Sequence, residues 1–470
     1  MKRERRGCGS PPLPAEPESV KASSFAPTGS CDRRRVADTF ADVSTALAIP
    51  AGPPVVIVDR AAIVENLRRI RQAVGPQVRI CPAVKADAYG HGIEAVLPAL
   101  RAERIDIVAV ATLEEGIELR RRGWASDVLV FGRPAWGASP REAQESACLA
   151  VRHDLICTVG TPAEAAELSR AAARLDRPAR VHVKVDTGMS RAGISAASLP
   201  GLVESIGRCG KAIRLEGLYT HFATADEPDL GFARAQLASF GEALAAVRPL
   251  AARQSAGTQP LAGTWAGILR HAANTSAIFC LPASHFDMVR PGLGVYGYWP
   301  DPHARPPVAM RPSMRVVGRI VAIKRVARGC AVGYGRTFVT DRDSTLGLVP
   351  IGYGDGYNRL LSNRAVMTVR AHTAHRQQVP VVGRISMDQT VIDLTDVPEP
   401  REGEAVVIID NDPAAPNSVE AIARTLDTIP YEITCRLGRR LRRIGIWESS
   451  AAGVSETVDA GGCQPARGED

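Results

Sequence analysis

The sequence predicts an α/β protein, a (β/α)8 barrel of the TIM type followed by a C-terminal all-β domain. Three observations carry this. Between Val78 and Val289, eight apolar strand-like runs alternate with helical stretches, which matches a parallel eightfold barrel in count and, at about 210 residues, in length. Beyond Tyr298 the runs become short, β-branched and divided by Gly, Pro and Asp, the grammar of an all-β domain. No Gly-rich loop follows an early strand, as an open doubly wound sheet that binds dinucleotides requires.

Residues 1–50 are rich in Pro, Ser, Ala and mixed charge and read as a disordered extension, with periodicity only in the short segment Val36 to Ala48. The folded chain opens with the strand Val55 to Val58, the helix cap Asp59 and the amphipathic stretch Ala61 to Val74. The barrel domain covers residues 51–300. Its strands are expected at Val78 to Val84, Ile105 to Val110, Val128 to Phe131, Asp154 to Val159, Arg180 to Val185, Leu215 to Thr220, Leu269 to Asn274 and Phe286 to Val289. Helices lie between them, among others at Thr112 to Arg121, Pro162 to Arg174 and Phe232 to Val247, and Leu250 to Gly267 reads as a loop insertion. Residues 301–311 form a Pro-rich linker. The β domain, 312–447, has strands at Met314 to Val326, Thr345 to Ile351, Ala365 to Val369, Val379 to Val382, Thr390 to Leu394 and Ala405 to Ile409, then a helix at Ser418 to Thr425. Residues 448–470 are a polar, disordered tail.

Composition narrows the function. With 45% hydrophobic and 23% charged residues the chain belongs with soluble globular proteins. A net charge of +8 spread over 470 residues, with only 5% aromatics, does not make a nucleic-acid surface. Ten cysteines without a Cys-x-x-Cys pair suggest a reducing compartment, and the nine histidines show no metal spacing. The basic residues Lys2, Arg3, Arg5 and Arg6 are followed by Gly, Pro, Ser and Glu, not by the apolar run of a secretory signal. No apolar stretch approaches the roughly 18 residues that span a bilayer. A cytoplasmic protein that binds neither membrane nor metal is the expectation.

Chemistry collects where a barrel places it, at the C-terminal ends of the strands. Lys85 closes the first strand, in Val78-Arg-Ile-Cys-Pro-Ala-Val-Lys85-Ala-Asp-Ala-Tyr89-Gly-His-Gly92, and it is one of only six lysines beside fifty-two arginines. On that stretch alone the lysine could snorkel to solvent; a lysine driven towards neutrality by burial is instead a nucleophile able to form a Schiff base. The fifth strand delivers Lys184, Asp186 and Arg191, the sixth His221, the seventh His271, Asn274 and Thr275, and the eighth Arg290, Gly292 and Leu293. Singly, His221 reads as a bonded core histidine and Arg290 as an ion-pair partner. Together they change the reading, because loops after the seventh and eighth strands commonly cradle phosphate. A lysine aldimine opposite a phosphate cradle is what pyridoxal phosphate requires.

Ala83-Val-Lys85-Ala-Asp-Ala-Tyr89-Gly-His-Gly resembles the cofactor-lysine signature of the alanine racemases. The resemblance continues through Val183-Lys184-Val-Asp-Thr-Gly-Met-Ser-Arg191, Tyr219-Thr-His221-Phe-Ala-Thr-Ala-Asp-Glu, Val332-Gly-Tyr334-Gly, Pro350-Ile-Gly-Tyr353-Gly-Asp-Gly, Gly383-Arg-Ile-Ser-Met387-Asp388-Gln and Pro430-Tyr431-Glu432. It implies a head-to-tail homodimer racemising alanine, with the strand at Val55 to Val58 joining the β domain. Lys85 would hold pyridoxal 5'-phosphate and serve one face of the substrate Cα, and Tyr334 from the partner the other. Tyr89, Asn274, Thr275, Gly292, Leu293 and Tyr431 would bind the cofactor, with phosphate contacts from all but Asn274. Arg290 would face its pyridine nitrogen, with His221 bonded between Arg290 and Tyr334. Arg191 and the Met387 amide would take the substrate carboxylate. Lys184 corresponds to a lysine that many members carbamylate, the simpler reading being an ion pair with Asp186. Tyr353 and Tyr431 would narrow the access corridor, with Asp388 nearby.

Departures from the family pattern are Ser386 where cysteine is common, Thr275 where serine is usual, Pro430 where asparagine is frequent, and Gly445 where an aromatic is expected. Three other readings stay open: a broader racemase acting on serine or lysine, a non-catalytic carrier of pyridoxal phosphate, and a barrel decarboxylase. The last would need a catalytic thiol in the β domain, where Ser386 stands.

Overall fold

A computed structural model describes residues 52–132, 139–254, 267–304, 306–371 and 373–447. The extension and tail expected at 1–50 and 448–470 lie outside these residues. β1 (Val55–Asp59) is followed at once by the helix Arg60–Val74, whose first turn is capped by the Asp59 carboxylate accepting from the Ala61 and Ala62 amides. Asp59 also pairs with Arg311, which ties the start of the fold to the end of the linker.

Eight parallel strands make the barrel: β2 (Arg79–Ile80), β3 (Ile107–Val110), β4 (Asp127–Val130), β5 (Ile156–Val159), β6 (Ala179–Asp186), then, after the two-residue β7 (Ile194–Ser195) that pairs beside β6, β8 (Ile213–Tyr219), β9 (Leu269–His271) and β10 (Met288–Val289). Their order is β2-β10-β9-β8-β6-β5-β4-β3, and the parallel bridge Ala83↔Ala109 closes the ring. The interior is filled by Cys81, Ile107, Ala109, Leu129, Ile156, Leu269 and Met288, so the barrel is a packed core. At its N-terminal face Arg180 binds Asp127 at 2.8 Å and Glu216 at 2.9 Å, a scaffold network far from the strand ends that carry chemistry.

Several strands are shorter than their apolar runs. The run Val78 to Val84 makes a regular strand only at Arg79–Ile80, with a further bridge at Ala83; Cys81 N–H still donates to Val289 O and Pro82 O accepts from Ala109 N–H, but Pro82 has no amide to give the ladder. Phe286 has φ +48°, so the last strand begins at Met288, two residues beyond Phe286. The seventh ends at His271, since Asn274 leaves the sheet to cap the helix Thr275–Cys280. The expected insertion from Leu250 starts too early: the helix Gly231–Gln254 runs through it with Pro249 inside, and residues 255–266 lie outside the described set.

From Trp299 the described residues carry no strand or helix until β11 (Met314–Arg319). The expected long strand to Val326 divides at Ile320 into β11 and β12 (Ala322–Val326), which belong to different sheets. β13 (Ala331–Val332) and β14 (Phe338–Val339) form a hairpin; β15 (Ser344–Val349), β16 (Val366–Val369), β17 (Gln377–Pro380), β18 (Thr390–Asp393) and β19 (Ala405–Ile409) follow. The helices Val419–Leu426 and Pro430–Cys435 precede β20 (Arg442–Ile446). The main sheet reads β17-β16-β19-β11-β1-β20, so the initial strand is interior to the C-terminal sheet, antiparallel to β11 and parallel to β20. At Gly445 a Cβ would stand 2.6 Å from the Arg60 guanidinium, which lies over Trp447. The missing aromatic at 445 is thus matched by an arginine that fills its space.

Candidate active site

Lys85 stands just past the barrel's closing bridge, half-buried, with Nζ 5.8 Å from the Tyr89 ring centre. The backbone then reverses hand: Ala86, Asp87, Ala88 and Tyr89 have φ of 52°, 52°, 56° and 54°. Left-handed backbone in such residues costs roughly 1–2 kcal/mol each, so the turn needs ties. Val84 N–H donates to Ala109 O at 2.8 Å, Ala86 N–H to the Glu115 carboxylate at 2.6 Å, and Ile93 N–H to Asp87 Oδ1 at 2.8 Å. His91 is fully buried; its Nδ1 lies 3.0 Å and 3.1 Å from the Ala88 and Tyr89 carbonyls and donates to them. Burial and the nearby Arg191 guanidinium lower the Lys85 pKa, favouring the neutral amine.

Opposite the lysine, the turns after β9 and β10 form a cradle. The Gly292 and Gly294 amides donate to Thr275 Oγ1 at 3.0 Å and 3.2 Å. A Cβ at Gly292 would lie 2.6 Å from the Tyr89 hydroxyl oxygen, and one at Gly294 2.8 Å from Thr275 Cγ2. Both positions therefore need glycine for the approach. Leu293 is wholly buried between them, and Tyr431, on the helix Pro430–Cys435, faces Tyr89 with ring centres 5.8 Å apart. Asn274 Oδ1 accepts from Ala277 N–H at 3.0 Å, which gives it a cap's task.

At the floor, Arg290 is buried and its bonds fix the surrounding tautomers. Nη2 donates to the carbonyls of Thr220 and Ala272 at 2.7 Å and 2.9 Å and lies 3.3 Å from His221 Nδ1. Nη1 donates to His271 Nδ1 at 2.8 Å, and among the described residues Nε has no partner. A guanidinium cannot accept, so His271 carries its proton on Nε2 and gives it to His182 Nδ1, 2.9 Å away. A Cβ at Gly217 would stand 2.6 Å from that His182 ring. Burial draws the Arg290 pKa down to about 10, still cationic at neutral pH. Tyr219 stacks on His271 at 4.7 Å and gives its hydroxyl proton to Thr158, which donates to Val130 O.

Lys184 is 7% exposed and its pKa falls to about 8, through burial first and then the Arg191 and Arg290 charges. It makes no ion pair with Asp186; that carboxylate accepts instead from the Gly188 and Ser190 amides and shapes the loop to Arg191, which is exposed at the mouth. Tyr334, Tyr353, Met387 and Asp388 are not brought to Lys85 by any contact among the described residues. They lie on adjoining β-domain loops: Tyr334 is 71% exposed, Met387 54% and Tyr353 43%. Tyr353 N–H donates to Ser386 O, and Arg440 joins Asp355 to Asp388.

Glu115, His91, His182 and Gln236 carry the site and escaped the sequence reading. Gln236, buried on the helix Gly231–Gln254, accepts from Ala223 N–H at 2.9 Å and donates to His221 O at 3.2 Å, so it holds the His221 loop. The only signal for Glu115 was its place in a helix's first turn.

The buried histidines set a pH response. Burial lowers the pKa of His91 and His182 to about 3 and that of His271 well below its ordinary value. The unfolded chain therefore takes up protons, below about pH 6.5, that the folded one refuses. Stability falls as pH drops through that range, by up to about 1.4 kcal/mol per unit for each histidine. Urea unfolding of wild type and His182→Gln at pH 7, 6 and 5 is expected to show a shallower decline for the variant; parallel declines would refute the neutral-histidine assignment.

Residues 58–300 match the alanine racemase N-terminal domain and residues 313–445 the alanine racemase C-terminal domain. Alanine racemase 2 of Caldanaerobacter subterraneus subsp. tengcongensis is 38% identical over 403 residues, 86% of this chain and 97% of that protein. The alanine racemase of Streptomyces coelicolor superposes with a TM-score of 0.73 at 32% identity, over 84% of this chain and 98% of its own. The alanine racemase of Bartonella henselae, solved with covalently bound pyridoxal phosphate, superposes with a TM-score of 0.68 at 27% identity, over 84% of this chain and 100% of its own. No helix among the described residues is long and apolar enough to cross a membrane, and no cluster there could hold a metal ion.

Proposed function

This chain belongs to the alanine racemase family, and on that premise we propose that it interconverts L-alanine and D-alanine with pyridoxal 5'-phosphate held on Lys85, as a homodimer in which each site borrows Tyr334 of the partner subunit. The product D-alanine would serve peptidoglycan synthesis, in the cytoplasm. The observation that carries the reading is the convergence of a half-buried lysine, a hydroxyl-and-amide cradle and a buried arginine at one barrel mouth, while a tyrosine of the other domain stays 71% exposed.

The residues present fit the cofactor. The hydroxyls of Tyr89, Thr275 and Tyr431 and the Leu293 amide suit a phosphate, the Gly292 amide, which here donates to Thr275 Oγ1, borders the same cradle, and the spare Arg290 Nε–H suits a pyridine nitrogen. Asn274 holds the start of the Thr275 helix. When bound, the cofactor supplies an aldehyde to condense with amines and a ring that spreads the charge left at Cα.

The remaining work falls to the chain. Lys85 Nζ, whose pKa burial and Arg191 lower, takes or returns the Cα proton on one face. The hydroxyl oxygen of Tyr334 of the partner subunit does so on the other. Arg290 keeps its proton, so it would offer a bound cofactor's pyridine nitrogen a hydrogen bond and no proton, making the ring a weaker electron sink. His221 Nδ1 accepts from Arg290, which leaves its Nε2–H for the incoming tyrosine oxygen. Arg191 and the Met387 amide hold the carboxylate. Lys184, at about 8, has an appreciable neutral fraction at neutral pH, the form that carbon dioxide carbamylates.

The exposed Tyr334, Tyr353, Leu360 and Met387 on adjoining loops support a partner covering this face, since clustered apolar side chains of that size mark contact surfaces. With Tyr431 and Asp388 they would narrow the corridor to alanine. A racemisation assay over L-alanine, L-serine and L-lysine with cofactor supplied tests the reading. Alanine is expected to turn over fastest by a wide margin; comparable rates on serine or lysine would mean a broad racemase, and none at all with cofactor bound a carrier.

A further inference from the structure

The backbone on both sides of Lys85 is tied to the same neighbouring segment. Before it, Val84 N–H donates to Ala109 O at 2.8 Å; after it, Ala86 N–H donates to Glu115 Oε1 at 2.6 Å. The other oxygen of that carboxylate accepts from Ala111 N–H at 2.7 Å and Thr112 N–H at 3.2 Å. The seam between β2 and β3 thus runs on past the strands, with one glutamate standing in for a backbone carbonyl that the left-handed turn cannot offer. Asp87 and His91 secure the later part of the turn, and among the described residues only Glu115 secures its first amide.

We propose that Glu115 is a positioning residue for Lys85: its carboxylate clamps the reversed turn to β3, aims the lysine at the barrel mouth and supplies the negative charge beside it. This rests on Lys85 being the cofactor lysine. The charged and titratable groups acting on Lys85 come from several elements: Arg191 and Lys184 from β6 and its loop, Cys435 from the helix Pro430–Cys435, His221 after β8 and Glu115 from the helix Leu113–Arg121. Glu115 is the carboxylate among them. Two carboxylate oxygens are needed, one for each segment, and glutamine offers only one acceptor oxygen.

The test measures how fast the full-length apoenzyme captures pyridoxal phosphate covalently, followed by visible absorbance across pH, in wild type, Glu115→Gln, Glu115→Asp, Thr112→Ala and Lys85→Ala. Thr112 Oγ1 accepts from Glu115 N–H at 3.3 Å, so Thr112→Ala loosens the helix cap without touching Ala86 or the charge. Glu115→Gln is expected to slow capture about ten- to a hundredfold and to move its pH midpoint downwards, because a negative charge beside the ammonium is gone. Glu115→Asp, too short to span both segments, is expected to slow capture with the midpoint in place, and Thr112→Ala to change neither. Wild-type capture in Glu115→Gln, or in Glu115→Asp should the glutamine variant not fold, overturns the proposal, as does a Thr112→Ala enzyme that reproduces the deficit. If Lys85→Ala still captures cofactor, the assignment of Lys85 fails; if capture needs Lys85 but ignores Glu115, the clamp alone fails.

Discussion

Lys85→Ala is expected to lose the visible absorption of lysine-bound cofactor and to racemise alanine at least about a thousandfold more slowly. The change removes the anchoring amine and one of two bases together. The other lysine at the mouth, Lys184, is 7% exposed and does not offer a substitute amine. Lys85→Arg is expected to fail as well, since a guanidinium keeps its proton and cannot condense with an aldehyde. A small primary amine in the buffer should return part of the activity to Lys85→Ala by replacing the lost base. Retention of the absorption band in either variant would show that another residue holds the cofactor.

The second large effect lies in trans. Tyr334→Phe should keep the cofactor band while racemisation falls about a hundred- to ten-thousandfold, the range for loss of one acid–base group. If Tyr334 serves the partner's site, mixing Lys85→Ala with Tyr334→Phe subunits regenerates intact sites. Each mixed dimer has one site with both defects and one with none, so statistical exchange restores about a quarter of wild-type activity. Mixing that restores nothing, when subunit exchange is demonstrated, would place Tyr334 outside the partner's site. The exposure of Tyr334 within its own chain, 71%, is the structural premise of this experiment.

The barrel was legible because strand ends are where its chemistry stands, and the residues at five of those ends were readable without knowing how strands pair. What stayed hidden has physical reasons. Pro82 sits inside an apolar run and silently removes a ladder amide. The left-handed turn is built from Ala, Asp, Ala and Tyr, none of which announces positive φ as glycine does. Its ties come from Glu115 and His91, whose roles depend on contacts that spacing does not encode. His182 shares a strand face with Lys184 and reads like any buried strand residue, and only the registers of β6 on β8 and of β8 on β9, with Gly217 between, bring its ring to His271. Arg60 and Gly445, far apart in the chain, explain each other only once they are adjacent.

The place of β1 bears on how the molecule is made. It leaves the ribosome before any of the barrel, yet its sheet partners begin at Met314 and Arg442. At ordinary synthesis rates those emerge on the order of ten to eighty seconds later. Throughout that interval Val55-Val-Ile-Val58 is an unpaired apolar strand, a template for misplaced pairing. The barrel can assemble as it is translated, but the second domain waits for β20. Chaperone demand during expression should therefore follow the delay before β20 is complete, and a chain stopped short of Arg442 leaves its first strand without the neighbour that covers one edge.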